Sequence, residues 1–265
     1  VCLILFAARV HAAFPLVVAA NRDEAYARPA AAAYFWEDHP HVLAGRDLEQ
    51  RGTWLGITRT GRWAAITNFR QAGAYIPTAP SRGELVSDYL AGHDAPQDYL
   101  EAIAPQAARY NGFNLLAGDL AQLCYLSNRD GPVRNVEDGT HGLSNHMLNT
   151  PWPKVVNGRR RLQMLEAEDA DQMTEKLFAA LADRRTADPG TLPDTGIGLS
   201  REKALSPIFI AAQSYGTRAS TVVLIDRAGQ VSFAERSFGP NGEVRGEVRH
   251  AFSLDNDARC RLVRA

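Results

Sequence analysis

Cys2 lies one residue from the start of the chain, so removal of Val1 would place a thiol and a free α-amine on one carbon. That is the minimum needed for self-contained acyl transfer. Behind it, Leu3-Ile4-Leu5-Phe6-Ala7-Ala8 is an apolar run of strand character, suited to hold such a terminus rigidly. A second apolar run, Pro15-Leu16-Val17-Val18-Ala19-Ala20, ends in the polar cluster Asn21-Arg22-Asp23-Glu24. Further polar groups stand at expected strand ends: Thr67-Asn68-Phe69-Arg70, Ser144-Asn145 and Arg218. Strand ends and the loops after them are where rigid scaffolds present functional groups.

Hydrolysis of an amide or thioester needs a nucleophile, a base and oxyanion donors. Cys2 would supply the nucleophile, and its own α-amine, with a reference pKa of about 8, is a suitable base. Asp23 would orient that amine, Arg22 or Arg218 would favour the thiolate, and Asn68 and Asn145 offer N–H groups to the oxyanion. Residue 1 is Val, read here as a non-standard start decoded as Met, which a small second residue such as Cys allows to be removed. Each residue also has a plainer role. A free cysteine often behaves as a small buried hydrophobe; the asparagines can close turns, Arg22 and Asp23 can pair locally, and Arg218 can cover a sheet edge.

Other chemistries are less well served. The close histidine pairs, His39 with His41 and His141 with His146, lack cysteine or carboxylate at zinc spacing. There is no Gly-x-Ser-x-Gly elbow, no Gly-x-Gly-x-x-Gly and no Walker sequence. A formal net charge of -1 in 265 residues argues against nucleic acid, and Arg159-Arg160-Arg161 reads as a solvated helix face. Cys2, Cys124 and Cys260 have no paired spacing, so a reducing compartment is expected. The first apolar stretch ends at Arg9 without signal-peptide features, and no run suits a membrane helix. A cytoplasmic protein with no membrane insertion is the expectation.

The elements that must position these groups begin with strands. After the two apolar runs, 52–58 and 62–67 are expected to form a hairpin around Arg59-Thr60-Gly61. Ser81-Arg82-Gly83-Glu84 has capping-box form and opens a helix over 85–90; a second, led by Pro96, covers 95–108. Strands follow over 113–117 and 122–127, then helices over 153–166 and 170–182. Segment 184–206, rich in Pro, Gly, Thr and Asp, reads as a long surface loop or lid. Strands over 208–210, 220–226, 231–236 and 247–254 close the chain. With no repeat or linker, residues 1–265 read as one α+β domain of antiparallel sheets covered by helices.

These motifs identify a resemblance. The chain resembles the NRDE family, whose eukaryotic members are known as transport and Golgi organisation protein two. Besides Cys2-Leu3 and Asn21-Arg22-Asp23-Glu24, the likeness includes Ala44-Gly45-Arg46-Asp47, Gly52-Thr53-Trp54-Leu55-Gly56, Thr67-Asn68-Phe69-Arg70, Ser81-Arg82-Gly83-Glu84-Leu85, Asn111-Gly112-Phe113-Asn114-Leu115, Gly142-Leu143-Ser144-Asn145 and Tyr215-Gly216-Thr217-Arg218-Ala219-Ser220-Thr221. Departures at Ala8, Ala25 and Arg51 lie beside the polar residues. The resemblance implies a four-layer αββα sandwich similar to amino-terminal-nucleophile hydrolases, such as bile-salt and penicillin-V acylases. It implies catalytic roles for Cys2, Arg22, Asp23, Asn68, Asn145 and Arg218, with Asn21, Glu24, Trp54, Phe69 and Arg70 as ligand contacts. Two functions follow as expectations. One is a cysteine hydrolase or acyltransferase acting on a small linear amide or thioester, with no required cofactor. The other is a non-enzymatic carrier of haem or an acyl ligand, in keeping with the family's association with lipid and acyl-CoA metabolism and haem mobilisation; there Cys2, His11, His141 or His146 would ligate iron.

Overall fold

Alternate residues of the first two strands face different apolar layers. In β1 (Cys2–Ala8), Ile4, Phe6 and Ala8 join one core cluster while Leu3, Leu5 and Ala7 join another. In β2 (Leu16–Ala25), Val18 and Ala20 join the first and Val17 and Ala19 the second. Because successive side chains of a strand point to opposite faces, both faces of this sheet are covered. The computed structural model describes residues 2–256, 258 and 259; Val1 and Cys260 lie outside the described residues.

The chain continues through β3 (Ala30–Phe35), β4 (Val42–Asp47), β5 (Leu55–Thr58) and β6 (Trp63–Asn68) to helices α1 (Arg82–Ala91) and α2 (Pro96–Ile103). Strands β7 (Phe113–Gly118), β8 (Leu123–Ser127), β9 (Arg134–Asn135) and β10 (Gly139–Leu143) precede α3 (Pro153–Gln163), α4 (Ala170–Leu181) and the short α5 (Leu199–Ala204). The final strands are β11 (Tyr215–Ile225), β12 (Gln230–Phe238) and β13 (Val244–Ser253). They form a six-stranded sheet in the order β10-β1-β2-β11-β12-β13 and a seven-stranded meander from β3 to β9. Every pairing is antiparallel.

Three cores make the layers. Ile4, Phe6, Val18 and Phe233 meet Leu43, Ile57 and Leu116 between the sheets. Val86 and Leu90 of α1 and Leu100 of α2 cover the outer face of the seven-stranded sheet. Val155 of α3 with Leu177 and Phe178 of α4 cover the outer face of the other. The fold is therefore an α+β sandwich of two antiparallel sheets flanked by helices. No described helix is long and apolar enough to cross a membrane.

Local chemistry sets several boundaries. Ser81 accepts from the Gly83 N–H at the start of α1, but Glu84 bonds the Tyr110 hydroxyl at 2.6 Å rather than completing a reciprocal box. Gly61 turns the β5–β6 hairpin at φ +79°, where a side chain would be strained. Four expectations need correction. Asn21-Arg22-Asp23-Glu24 does not follow β2 but lies within it, because β1 and β11 continue its ladder on both sides. Residues 208–210 are buried yet not a strand: Phe209 N–H bonds Asp183 O at 2.8 Å, and Ile208 O accepts a side-chain amide. Segment 184–206 is no plain surface loop, since it carries α5 and buries Glu202. The helix led by Pro96 ends at Ile103 and passes into a 3-10 turn over Ala104–Arg109.

Candidate active site

Register places the nucleophile. Cys2 pairs with Arg22 across β1 and β2, and the alternation that sends Ile4 and Ala20 between the sheets carries Cys2, Arg22 and Glu24 to the same face. Asn21 and Asp23 point the other way, to the α3/α4 layer. The pairing of β2 with β11 shifts between Thr217 and Ala219. This bulge lets Thr217 face Asp23 on the helical side while Arg218 turns to the inter-sheet side, a usual service of bulges near functional sites.

Where the sheets part, a cavity of about 450 Å³ opens, lined by Cys2, Arg22, Asp23, Glu24, Trp54, Asn68 and Arg218, among others. This size suits a small molecule. Arg22 reaches across to Asp47 of β4 at 3.4 Å, and Asp47 also takes Arg28 at 2.5 Å. The Arg218 guanidinium lies within 3.0 Å of the carbonyls of Ala25, Tyr26 and Arg28, so it fastens the chain leaving β2 as well as lining the cavity. Burial pushes the Cys2 thiol up and the Asp23 carboxylate adds to this, while Arg22 pulls it back. A thiol held protonated in this way needs a base to become a nucleophile.

The two asparagines are coupled. Asn145 is buried, and its Nδ2 donates to the Asn68 carbonyl at 2.8 Å. The Asn68 side-chain amide, at the end of β6, has no hydrogen-bond partner among the described residues and lies on the cavity wall. Asn145 does not line that cavity; it borders an adjoining cleft of about 290 Å³ with Asn68, Phe69 and Arg70. Next to Asn145, the Ser144 hydroxyl donates to the Cys2 carbonyl at 2.9 Å, tying β1 to the turn after β10.

The other expected contacts are scattered. Asn21 faces away from the cavity, donating to the carbonyls of Leu181 at 3.0 Å and Ile208 at 2.8 Å and accepting from Ser220. It binds β2 to the helical layer. Phe69 packs on His146 at 4.9 Å between ring centroids, and Arg70 pairs with Glu202 at 2.6 Å. None of His11, His141 and His146 lines the cavity: His141 stacks on Phe6, His146 bonds Thr150, and His11 accepts from the Ala13 and Phe14 N–H groups.

Sequence reasoning missed several residues. Arg82, quoted only within the helix-opening motif, lines the cavity and is half-buried; burial pushes its guanidinium down, while the Cys2 thiolate is the first of the charges that pull it up. Glu235 of β12 is a buried carboxylate on the same wall, bonded by the Ala33 N–H at 2.9 Å and the Thr221 hydroxyl at 3.1 Å. Lys154 of α3 is buried on the far side of the sheet; its rarity, one of three lysines in the chain, was the available signal.

Known proteins resemble this chain over most of its length. Over 262 residues the chain is 38% identical to the Transport and Golgi organization protein 2 homolog of Bos taurus, covering 92% of this chain and 94% of that protein. The Homo sapiens homolog is likewise 38% identical over 263 residues, covering 92% and 94%. Among solved structures, a variant of the conjugated bile acid hydrolase from Clostridium perfringens superposes with a TM-score of 0.50 at 10% identity, covering 96% of this chain and 92% of that one. That similarity is one of fold. Residues 1–240 match the family described as Transport and Golgi organisation 2, and the chain belongs to that family.

Proposed function

We propose that the chain is an amino-terminal cysteine hydrolase or acyltransferase for a small linear amide or thioester. The observation that carries this reading is Cys2 lying in the 450 Å³ cavity, in register with Arg22 and with Asn68 and Arg218 on the same walls. With residue 1 removed, the Cys2 amine takes the thiol proton as sulfur attacks the substrate carbonyl. The carbonyl π electrons move to oxygen, towards the Asn68 amide. Collapse breaks the C–N or C–S bond, and the ammonium returns its proton to the leaving group. Water, deprotonated by the amine, then hydrolyses the thioester; another nucleophile in its place gives acyl transfer. Asp23, at the back of the strand, steadies the amine.

Intact mass should begin at Cys2, and a β-lactone probe should label that residue alone. Labelling unchanged in Cys2→Ala would overturn the proposal. A hydrolase of conjugated bile acids with the same fold suits this reading. The carrier reading predicts saturable binding without turnover. For haem the donor set is poor, since no described histidine lines the cavity and Cys2 is the remaining candidate ligand. Titration followed by the absorption spectrum tests it.

A further inference from the structure

The cleft of about 290 Å³ beside the Cys2 cavity has no part in the acyl-transfer scheme. The two spaces share a wall, since Asn68, Tyr75, Arg82 and Asn111 line both. A substrate whose carbonyl oxygen meets the Asn68 amide thus has the cavity on one side of that residue and the cleft on the other.

The cleft is cationic. Arg70, Arg82 and Arg129 stand on its walls with Phe69 and Tyr75, and no carboxylate is among the described residues that line it. Glu202 neutralises Arg70 at 2.6 Å. The other two guanidiniums are held by neutral oxygens and form no ion pair among the described residues. Arg82, in the first turn of α1, donates from Nη1 to the Gly112 carbonyl at 2.9 Å. Arg129, in the turn after β8, donates from Nη1 to the Asn128 carbonyl at 3.0 Å and from Nε to Gln71 Oε1 at 3.2 Å. The acids beside them in sequence turn elsewhere: Asp130 pairs with Arg134 at 2.6 Å, and Glu84 accepts from the Tyr110 hydroxyl at 2.6 Å.

Both side chains are partly buried, and they converge on Gly112. A Cβ there would stand 3.7 Å from Arg129 Nε and 3.0 Å from Phe69 Cβ, so glycine leaves room beside Arg129 that a side chain would fill. The turn that carries Arg129 is itself fixed. Asn128 Nδ2 donates to the carbonyls of Ala107 at 3.0 Å and Tyr110 at 3.1 Å, and its Oδ1 accepts from the Phe113 N–H at 2.9 Å. Preplaced guanidinium forks without a counter-charge are suited to hold a carboxylate or phosphate.

We infer that the cleft is a subsite for a small anionic group, a carboxylate or phosphate, on the substrate whose carbonyl Cys2 attacks, with Arg129 as its specificity-determining residue. The inference rests on Cys2 being that nucleophile. Arg129 does not line the Cys2 cavity, so its charge can be removed without altering the wall around the thiol.

The test is the rate of Cys2 alkylation, read at the Cys2 peptide by mass spectrometry. The probes are iodoacetylglycine, its β-alanine and γ-aminobutyrate homologues, and iodoacetyl-aminomethylphosphonate, each compared with an uncharged analogue of the same length. Wild-type protein should favour at least one anionic tail by roughly two- to fivefold. Arg129→Gln should remove at least half of that preference and leave the rate with the uncharged analogue unchanged, while Arg129→Lys should keep part of it. The tail preferred, carboxylate or phosphonate, tells which anion the cleft takes. A preference unmoved in Arg129→Gln overturns the inference and leaves the nucleophile standing; its loss in Arg245→Gln instead would place the anion at the exposed rim of the larger cavity. Cys2 unlabelled by every probe overturns the nucleophile reading, and the inference with it. Should Arg129→Gln fail to fold, Gln71→Glu decides, because a carboxylate in contact with Arg129 Nε should neutralise it in place and reduce the same preference. An undiminished preference in that variant would overturn the inference.

Discussion

Cys2 and Arg22 are register partners, and the ladder runs on from Arg22 to Ala219, beside the bulge that turns Arg218 inward. The surroundings of the thiol are therefore set by backbone pairing in the centre of a sheet, not by a loop. A slip of one residue would send the Cys2 side chain into the helical layer and the Asp23 side chain between the sheets. One strand thus presents charge on both faces: Arg22 on the thiol side, Asp23 on the helical side with Thr217.

Arg22 opposes the burial that pushes the Cys2 thiol up. Arg22→Gln should therefore raise the thiol further and slow alkylation of Cys2 at neutral pH by several-fold, up to about tenfold. Asp47 retains Arg28, so the cavity wall should persist. Iodoacetamide rates equal to wild type would show that Arg22 does not act on the sulfur.

Thr217 joins the bulge to the polar cluster. Its hydroxyl donates to Asp23 Oδ1 at 2.7 Å and accepts from the Ile210 N–H at 3.0 Å. Valine would fill the same space but remove the bond to Asp23 and the acceptor of the Ile210 N–H, at a cost of about 1–3 kcal/mol. Urea denaturation of Thr217→Val against Thr217→Ser measures it. The serine variant, which keeps the hydroxyl, should retain most of the stability.

The central strands and the main helices were legible because their apolar residues repeat at strand or helical spacing and their ends carry Gly, Pro or capping residues. Strand β3 was not, since Ala30-Ala31-Ala32-Ala33 has no strand propensity of its own and extends only by pairing with β4. Strand β10 reads as turn chemistry, Gly139-Thr140-His141-Gly142, until β1 supplies its partner. At the site, Cys2, Arg22 and Arg218 were named from type and position, and register brings them to one cavity. Which way Asn21 points depends on strand parity, and parity was hidden while the polar cluster was read as following β2. Lys154 and Glu235 come from a helix and a strand with no motif, and only tertiary packing brings them near β2.

The wall opposite Cys2 depends on a close backbone approach. A Cβ at Gly52 would stand 2.6 Å from the Gly83 carbonyl carbon and 2.8 Å from its oxygen, at the start of α1. Neither atom can swing aside as a side chain would, so Gly52→Ala must displace the helix that carries Arg82. We expect a loss of about 1–3 kcal/mol in urea denaturation. Gly246→Ala, where nothing lies within 4 Å, should change stability by no more than about 0.5 kcal/mol. Equal stabilities of the two variants would contradict the tight approach.

Glu235 gives a pH-dependent test on the cavity wall. Burial pushes its carboxyl above the ordinary value of 4.5, although the Ala33 N–H, Thr221 and Arg22 pull it back. A carboxyl raised on folding favours the native state while protonated. Its contribution is complete below the unfolded value and is lost as pH rises through the folded one. Glutamine keeps an oxygen for the Ala33 N–H and offers its amide to the Thr221 hydroxyl, but never ionises. Glu235→Gln should therefore match wild type near pH 3–4 and exceed it above the raised value, by on the order of 1–3 kcal/mol. Denaturant titrations of both proteins across this range read the difference directly. A constant offset at every pH would mean that glutamine alters packing alone; a wild type that gains on the variant as pH rises would reverse the sign and show that Glu235 is stabilised as a carboxylate, with Arg22 outweighing its burial.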